Sequence, residues 1–227
     1  MGTVSVIIPA AGAGTRFAAG RNKIFQTLAG REIFLRSVDV FAGRDDVCEI
    51  LLVLSADDIE TVAREYGAEL ASLGVALVTG GATRRESVRN ALAQVSASAS
   101  LVCVHDAVRP CVSRRDVDAV FAAAAETHAA ILAAPIHGTI KQVSAAGRIE
   151  RTVCREGLWQ AQTPQVFGAA LLREAYQRHT GPVTDDAQVV EAAGHPVTVV
   201  PGAPNNIKIT TLADLALAEA ILAARAG

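Results

Sequence analysis

The sequence predicts an α/β protein, namely a doubly wound, mostly parallel sheet that carries a projecting β-hairpin arm. Strand-sized runs of almost wholly apolar residues recur through the first 135 positions, and helical patterns separate them. A more polar hairpin pattern then interrupts this alternation. Strands that are apolar on both faces are typical of a parallel sheet that helices cover on both sides.

The first half of the chain supplies most of the predicted sheet. Strands are predicted at residues 4–9, 49–55, 75–79, 101–105 and 130–135. Helices are predicted between them at 33–42, 57–73, 84–95 and 113–128. Ser113, followed three residues later by Asp116, is typical of a helix start.

The second half of the chain begins with the predicted arm. Two polar segments at 139–143 and 149–154, joined by a turn at 145–148, predict a hairpin that projects at about 138–155. Beyond it we predict helices at 168–178, 185–193 and 212–225, and strands at 196–200 and 206–210. No repeat or low-complexity linker divides the chain, so we expect a single domain over residues 1–227.

Composition excludes several classes of protein. The chain has 227 residues and a net charge of −2, which argues against a basic nucleic-acid-binding surface. Its longest apolar stretches are strand-sized, so no membrane span is expected. The first residues lack the basic and apolar pattern of a signal peptide, so we expect a cytoplasmic protein. The cysteines and histidines lack the spacing of a zinc site.

A loop of small residues follows the first predicted strand. It reads Pro9-Ala10-Ala11-Gly12-Ala13-Gly14-Thr15-Arg16. In an open α/β sheet, ligands bind beyond the carboxyl ends of the strands, and small residues there let backbone N–H groups approach a polyphosphate. The loop matches neither the GxGxxG dinucleotide motif nor the Walker motif. It therefore predicts phosphate binding of another kind, with a merely tight turn as the alternative.

Lysine is rare in this chain. Of the 21 basic residues only Lys23, Lys141 and Lys208 are lysines. Where arginine replaces lysine elsewhere, a retained lysine points to a need for a compact, flexible ammonium group, with chance as the alternative for so small a number. Arg16 and Lys23 follow the small-residue loop, where two cations would suit the charge of a triphosphate.

A histidine and an aspartate end the fourth predicted strand. His105 and Asp106 suggest a catalytic pair, but neighbours on a strand point to opposite faces of the sheet. We therefore predict that His105 is packed in the core and that Asp106 is functional.

Several further motifs carry a family resemblance. They are Asn22-Lys23, Gly80-Gly81 with the segment 84–90, His105 to Pro110, Leu158 to Gln165, Thr184-Asp185-Asp186 and Asn206 to Thr210. Together with the first loop, and in this order, they resemble the 2-C-methyl-D-erythritol 4-phosphate cytidylyltransferases over nearly the whole chain. The resemblance implies a Rossmann-like nucleotidyltransferase fold.

The resemblance also implies a reaction and its partners. Members of this family transfer CMP from CTP to 2-C-methyl-D-erythritol 4-phosphate and release pyrophosphate, with Mg²⁺ bound mainly by the CTP phosphates. The substrate phosphate attacks the α-phosphorus directly, so catalysis is mainly alignment and neutralisation of charge. The resemblance further implies a homodimer in which the arm crosses to a second subunit.

Matching positions carry the roles that the resemblance implies. The catalytic residues would be Arg16, Lys23, Arg155 and Lys208. The residues that bind CTP would be Pro9, Ala10, Ala11, Gly12, Gly14, Gly81 and Ser87. The substrate would be held by Asp106, Arg109, Thr139, Thr163 and Thr184, with Asp106 also a candidate metal ligand.

Two positions depart from the family pattern, and two other functions stay open. Asn22 stands where a proline is usual, and Ala82 stands where an acidic residue is usual, which weakens one nucleotide contact. A ribitol 5-phosphate cytidylyltransferase shares most of these motifs. A regulatory nucleotide-binding module on the same fold is the other alternative, although such a module would not need the catalytic cations.

Overall fold

The computed structural model describes residues 3–12 and 22–226. Seven of the described strands form one sheet, and the other four form two small antiparallel pairs. In chain order the strands are β1 Val4–Pro9, β2 Thr27–Leu28, β3 Arg31–Glu32, β4 Val47–Leu54, β5 Val75–Thr79, β6 Leu101–Val104, β7 Ala129–Pro135, β8 Ile140–Val143, β9 Ile149–Val153, β10 Trp159–Gly168 and β11 Thr198–Pro201.

Helices connect most of these strands. They are α1 Ile33–Asp39, α2 Ala56–Ser72, α3 Arg84–Leu92, α4 Arg114–Thr127, α5 Ala169–Arg178, α6 Asp186–Ala192 and α7 Leu212–Ala226, with a short 3-10 helix at Lys23–Phe25. The predicted start of α4 is confirmed, because the Ser113 hydroxyl accepts the backbone N–H of Asp116. None of the described helices is both long and apolar enough to cross a bilayer.

The central sheet is mostly parallel, as predicted. Its strand order is β11-β7-β10-β6-β1-β4-β5, and β10 alone runs against its neighbours β6 and β7. In β1, Val6 and Ile8 face one buried cluster and Ile7 faces the other. Helices therefore cover the sheet on both faces, which is the doubly wound arrangement.

Strand β10 is the main element that the sequence analysis missed. Its ten residues include Pro164, which lacks a backbone donor and is disfavoured within a strand. The register with β7 shifts between Ala161 and Gln165, so the proline falls where regular pairing is interrupted.

The predicted strand at 206–210 was wrong. The segment is irregular, and isolated side-chain and backbone hydrogen bonds hold it in place of strand pairing. The buried amide of Asn206 donates to the backbone oxygen of Thr163 at 2.9 Å, and the N–H of Ile209 donates to Val108 O at 2.9 Å. These bonds bring the segment to the edge where the strands end.

The hairpin is present as β8 and β9, which pair with each other and not with the central sheet. Most of its residues are exposed, including Val143 and Ile149. That residues 1–227 form a single domain stays a prediction.

Candidate active site

A cavity of about 270 Å³ lies at the carboxyl ends of the parallel strands. Strand β1 leads into it, and the N–H of Ala10 donates to Val53 O at 2.7 Å, so the first loop leaves the sheet in a fixed direction. Of the residues predicted to bind CTP, the cavity is lined by Pro9, Ala10, Ala11, Gly12, Gly81 and Ser87. Gly14 lies outside the described residues.

The wall next to the first loop is formed where β5 leads into α3. The Ser87 hydroxyl accepts the N–H of Gly81 at 3.1 Å and donates to Thr83 O at 2.9 Å. A Cβ on Gly80 would lie 2.8 Å from both the Ala11 Cβ and the Ser87 Oγ. Glycine is therefore required here because the two loops approach each other closely.

Two of the chain's lysines line this cavity. Lys23 lies in the short 3-10 helix, and its Nζ donates to Ile209 O at 3.2 Å. Lys208 precedes Ile209 and reaches the same cavity from the irregular segment. The described structure thus brings together two predicted catalytic cations that are 185 positions apart in sequence. Arg16, the third predicted cation of this group, lies outside the described residues.

Asp106 lies among three cations. Its Oδ2 is 2.9 Å from Lys208 Nζ and 3.4 Å from Arg109 Nε, and its Oδ1 is 3.7 Å from Arg84 Nη2. Burial alone would raise the pKa of this carboxyl, but the three cations hold that pKa well below its usual range. The carboxylate is therefore charged at neutral pH.

The neighbouring His105 is packed in the core, as predicted. Its side chain is fully buried, and desolvation lowers its pKa from the ordinary 6.5 to about 4. His105 is therefore neutral at pH 7, and its ring lies within hydrogen-bond distance of the Thr163 hydroxyl and Arg109 O. Asp106, in contrast, borders the cavity.

A second cavity of about 200 Å³ adjoins the first. Arg109, Thr163 and Thr184, all predicted to hold the substrate, line it together with Asp106. The Thr163 hydroxyl accepts the backbone N–H of Asp106 at 3.0 Å. Arg109 donates to Asn206 O at 2.8 Å, so both strand ends and the irregular segment shape this cavity.

Two predicted site residues lie elsewhere. Thr139 precedes β8 and Arg155 follows β9, and neither lines either of these cavities. Both are exposed, and Arg155 donates to the backbone oxygen of His137. Within one chain they are therefore placed on the hairpin and not beside Lys23.

Two residues that help to build the site have no role predicted from the sequence. Arg84 borders both cavities, and Asp186 is buried behind it. Arg84 belongs to the quoted segment 84–90, but only Ser87 was singled out there. The signal that could have found Asp186 is its place in the Thr184-Asp185-Asp186 motif.

The described residues do not form a magnesium site by themselves. No group of three or more His, Cys, Asp or Glu side chains in residues 3–12 and 22–226 is arranged to hold a metal. Among the residues that the structure describes, Asp106 is the only carboxylate that lines the first cavity, and three cations surround it. Mg²⁺ prefers several oxygen ligands, which a bound triphosphate would have to supply.

Fold and site together define a nucleotide-binding transferase, with a cavity of small residues and lysines at the edge of a doubly wound sheet. The sequence model of the IspD family, described as 2-C-methyl-D-erythritol 4-phosphate cytidylyltransferase, matches residues 4–224. The chain belongs to this family.

Individual relatives agree with this assignment. A 2-C-methyl-D-erythritol 4-phosphate cytidylyltransferase from Rhodopirellula baltica is 46% identical, over 97% of this chain and 95% of the relative. One from Frankia casuarinae is 42% identical, over 97% of this chain and 81% of the relative. The crystal structure of the Thermus thermophilus enzyme of the same name is 38% identical, with a TM-score of 0.79 over 97% of this chain and 98% of that one.

Proposed function

We propose that this enzyme transfers CMP from CTP to 2-C-methyl-D-erythritol 4-phosphate, giving CDP-methylerythritol and pyrophosphate in the non-mevalonate route to isoprenoid precursors. The observation that carries the proposal is the pair of adjoining cavities. One is bordered by small residues and two lysines, and the other by Arg109 and polar side chains. Two phosphate-bearing substrates would thus meet at the wall that the cavities share.

The proposed roles follow from the position of each charge. CTP would occupy the first cavity, with its base against Gly81 and Ser87 and its phosphates toward Lys23. The substrate would occupy the second cavity, beside Asp106, Arg109, Thr163 and Thr184. Lys208 lines both cavities and would steer the attacking phosphate toward the nucleotide.

The proposed reaction is an in-line displacement. A phosphate oxygen of the substrate forms a bond to the α-phosphorus of CTP, and the bond from that phosphorus to the bridging oxygen breaks. Pyrophosphate leaves with the electron pair. The negative charge that develops on the transferring group would be stabilised by Lys23 and by Arg16. No covalent intermediate with the protein is required.

Mg²⁺ would enter with the nucleotide. The triphosphate supplies the oxygen ligands that the described residues lack, and the metal would neutralise part of its charge. Asp106 would then contribute at most one ligand, since its carboxylate already contacts Lys208, Arg109 and Arg84. We also propose a cytoplasmic location, which the water-soluble substrates support.

We further propose that the enzyme is a homodimer whose arm reaches the partner's site. Thr139 and Arg155 lie on the arm outside the cavities of their own chain. Ile149 and Trp159 are 64% and 42% exposed, which is typical of a surface that another chain covers. A partner's arm would bring Arg155 to the substrate phosphate as a bidentate ligand.

Pyrophosphate release tests the proposed function. The enzyme is given CTP and Mg²⁺ with either 2-C-methyl-D-erythritol 4-phosphate or D-ribitol 5-phosphate, and we expect release with the first only. Activity with ribitol phosphate alone would show that the substrate is wrong. Tight CTP binding without release from either compound would favour a regulatory module.

A further inference from the structure

Three side chains form the wall that the two cavities share. Arg84, Asp106 and Lys208 are the described residues that line both. The proposed reaction gives roles to Asp106 and Lys208 but none to Arg84. Arg84 is the first residue of α3, and its side chain is only 25% exposed.

Arg84 connects Asp106 to a second carboxylate. Its Nη2 is 2.6 Å from the Oδ2 of Asp186 and 3.7 Å from the Oδ1 of Asp106. Lys208 and Arg109 both approach Asp106 through Oδ2. Among these three cations, Arg84 is therefore the one that holds the Oδ1 side of the carboxylate.

Asp186 cannot reach a ligand itself. Its side chain is fully buried and lines neither cavity. The hydroxyl of Tyr176 donates to its Oδ1 at 2.5 Å, and its own N–H donates to Gln165 Oε1 at 3.0 Å. The Asp186 side chain is thus held between Tyr176 and Arg84, and of these two partners Arg84 is the one that lines the cavities.

This arrangement is not the one that stability alone would favour. The Nη1 of Arg84 is buried and has no hydrogen-bond partner among the described residues. An unmatched buried donor costs about 1–3 kcal/mol, and buried ion pairs are often no more stable than apolar replacements. An ion pair that is kept although it contributes little to stability serves to hold a particular geometry.

We infer that Arg84 and Asp186 form a positioning pair that sets the orientation of the Asp106 carboxylate at the boundary between the two cavities. The inference rests on the proposed function, because the boundary is where the two substrates would react. Arg84 is held from behind by Asp186 and in turn holds the Oδ1 of Asp106. Without the pair, the carboxylate would be free to turn toward Lys208 and Arg109.

The variant Asp186→Asn tests the pair without touching a ligand. Asparagine keeps the size of the side chain and can still accept from Tyr176, but it removes the charge that fixes Arg84. We expect kcat to fall on the order of tenfold while KM for CTP stays unchanged, because misplacement of a reacting-site group lowers turnover more than binding. Arg84→Gln should lower kcat at least as much, and Arg84→Lys should recover part of the loss.

Arg173→Gln is the matched control. Arg173 lies on α5 and donates to Leu92 O at the end of α3 and to Val95 O just beyond it. It contacts neither Asp106 nor Asp186, so its loss should lower the free energy of unfolding without changing kcat. An effect on kcat equal to that of Asp186→Asn would mean that loosening α3 alone explains the result, and the inference would be wrong.

A double-mutant cycle completes the test. If the two residues act as one unit, Arg84→Gln with Asp186→Asn should lose no more activity than Arg84→Gln alone. Losses that multiply would overturn the inference, as would unchanged kcat in Asp186→Asn.

If Asp186→Asn does not fold, Tyr176→Phe, which removes one bond to Asp186, should lower kcat several-fold. Unchanged kcat in Tyr176→Phe would count equally against the pair. Wild-type enzyme without pyrophosphate release would overturn the proposed function and this inference with it.

Discussion

The Thr163 hydroxyl bridges Asp106 and His105. It accepts the backbone N–H of Asp106 at 3.0 Å and lies 3.1 Å from the His105 Nδ1. The His105 Nε2 lies 3.1 Å from Arg109 O, and a carbonyl can only accept, so Nε2 carries the proton and Nδ1 accepts from the hydroxyl. A neutral histidine is therefore part of the structure that holds the loop of Asp106 and Arg109.

Because His105 is neutral in the folded chain, the free energy of unfolding should depend on pH in a defined window. The pKa of His105 is 6.5 when exposed and about 4 in the folded chain, so the unfolded chain binds more protons between these values. Stability from this group is present above pH 6.5 and is lost as pH falls toward 4. The expected loss between pH 7 and pH 5 is about 2 kcal/mol in the free energy of unfolding, measured by urea titration.

The variant His105→Gln is the control for this prediction. Glutamine does not titrate, so the variant should be less stable at pH 7 but should show a flatter dependence between pH 7 and pH 5. The neighbouring carboxyl of Asp106 has a depressed pKa and stays charged throughout this range. An unchanged slope in His105→Gln would assign the pH dependence to other groups.

The nucleotide cavity allows a steric prediction at Gly80. Its added Cβ would lie 2.8 Å from Ala11 Cβ and Ser87 Oγ and 3.2 Å from Leu54 O, and the backbone and Cβ atoms cannot easily move away. Gly80→Ala should therefore raise KM for CTP roughly tenfold and lower the free energy of unfolding by about 1–3 kcal/mol. Steady-state kinetics and urea titration measure the two effects.

Gly67→Ala provides the matched substitution. Gly67 lies inside α2, and its added Cβ would meet nothing within 4 Å. Alanine should stabilise the helix by about 0.5–1 kcal/mol and leave KM unchanged. Equal kinetics for the two alanine variants would contradict the steric account of the cavity.

How much could be predicted from sequence depended on how local each determinant is. Strands β1 and β5 have the predicted bounds because an apolar run and its flanking loop residues define them locally. Strand β10 could not be predicted, since its pairing with β6 and β7 involves residues up to 67 positions away and tolerates Pro164 through a register shift.

The same reasoning applies to the site. Lys23 and the residues of the first loop could be singled out because they are close in sequence. The end of a predicted strand pointed to Asp106, and the family resemblance supplied its role and that of Lys208. The contact between them at 2.9 Å depends on a segment that hydrogen bonds of Asn206 hold in position. Arg84 and Asp186 both lie in motifs of the family resemblance, but no local pattern shows that their side chains pair across 102 positions.

Lys23→Ala separates transition-state stabilisation from nucleotide binding. If Lys23 acts mainly on charge that develops during transfer, kcat should fall about 100-fold or more while KM for CTP changes only several-fold. Lys141→Ala is the control, since Lys141 lies on the arm and donates to Thr152 Oγ1. A rise in KM for CTP at constant kcat would show that Lys23 only binds the ground state.

Mixed dimers test whether the arm completes the partner's site. Lys23→Ala and Arg155→Ala should each be nearly inactive as homodimers. If Arg155 acts on the partner's substrate, a mixed dimer contains one site with both changes and one intact site. Unfolding and refolding the two variants together in equal amounts should then recover about one quarter of wild-type activity, because half of the dimers are mixed and each has one working site. If Arg155 acts within its own chain, every site carries one change, and the mixture stays as inactive as its components. Sedimentation of the wild-type protein as a monomer at assay concentration would likewise contradict the proposed dimer.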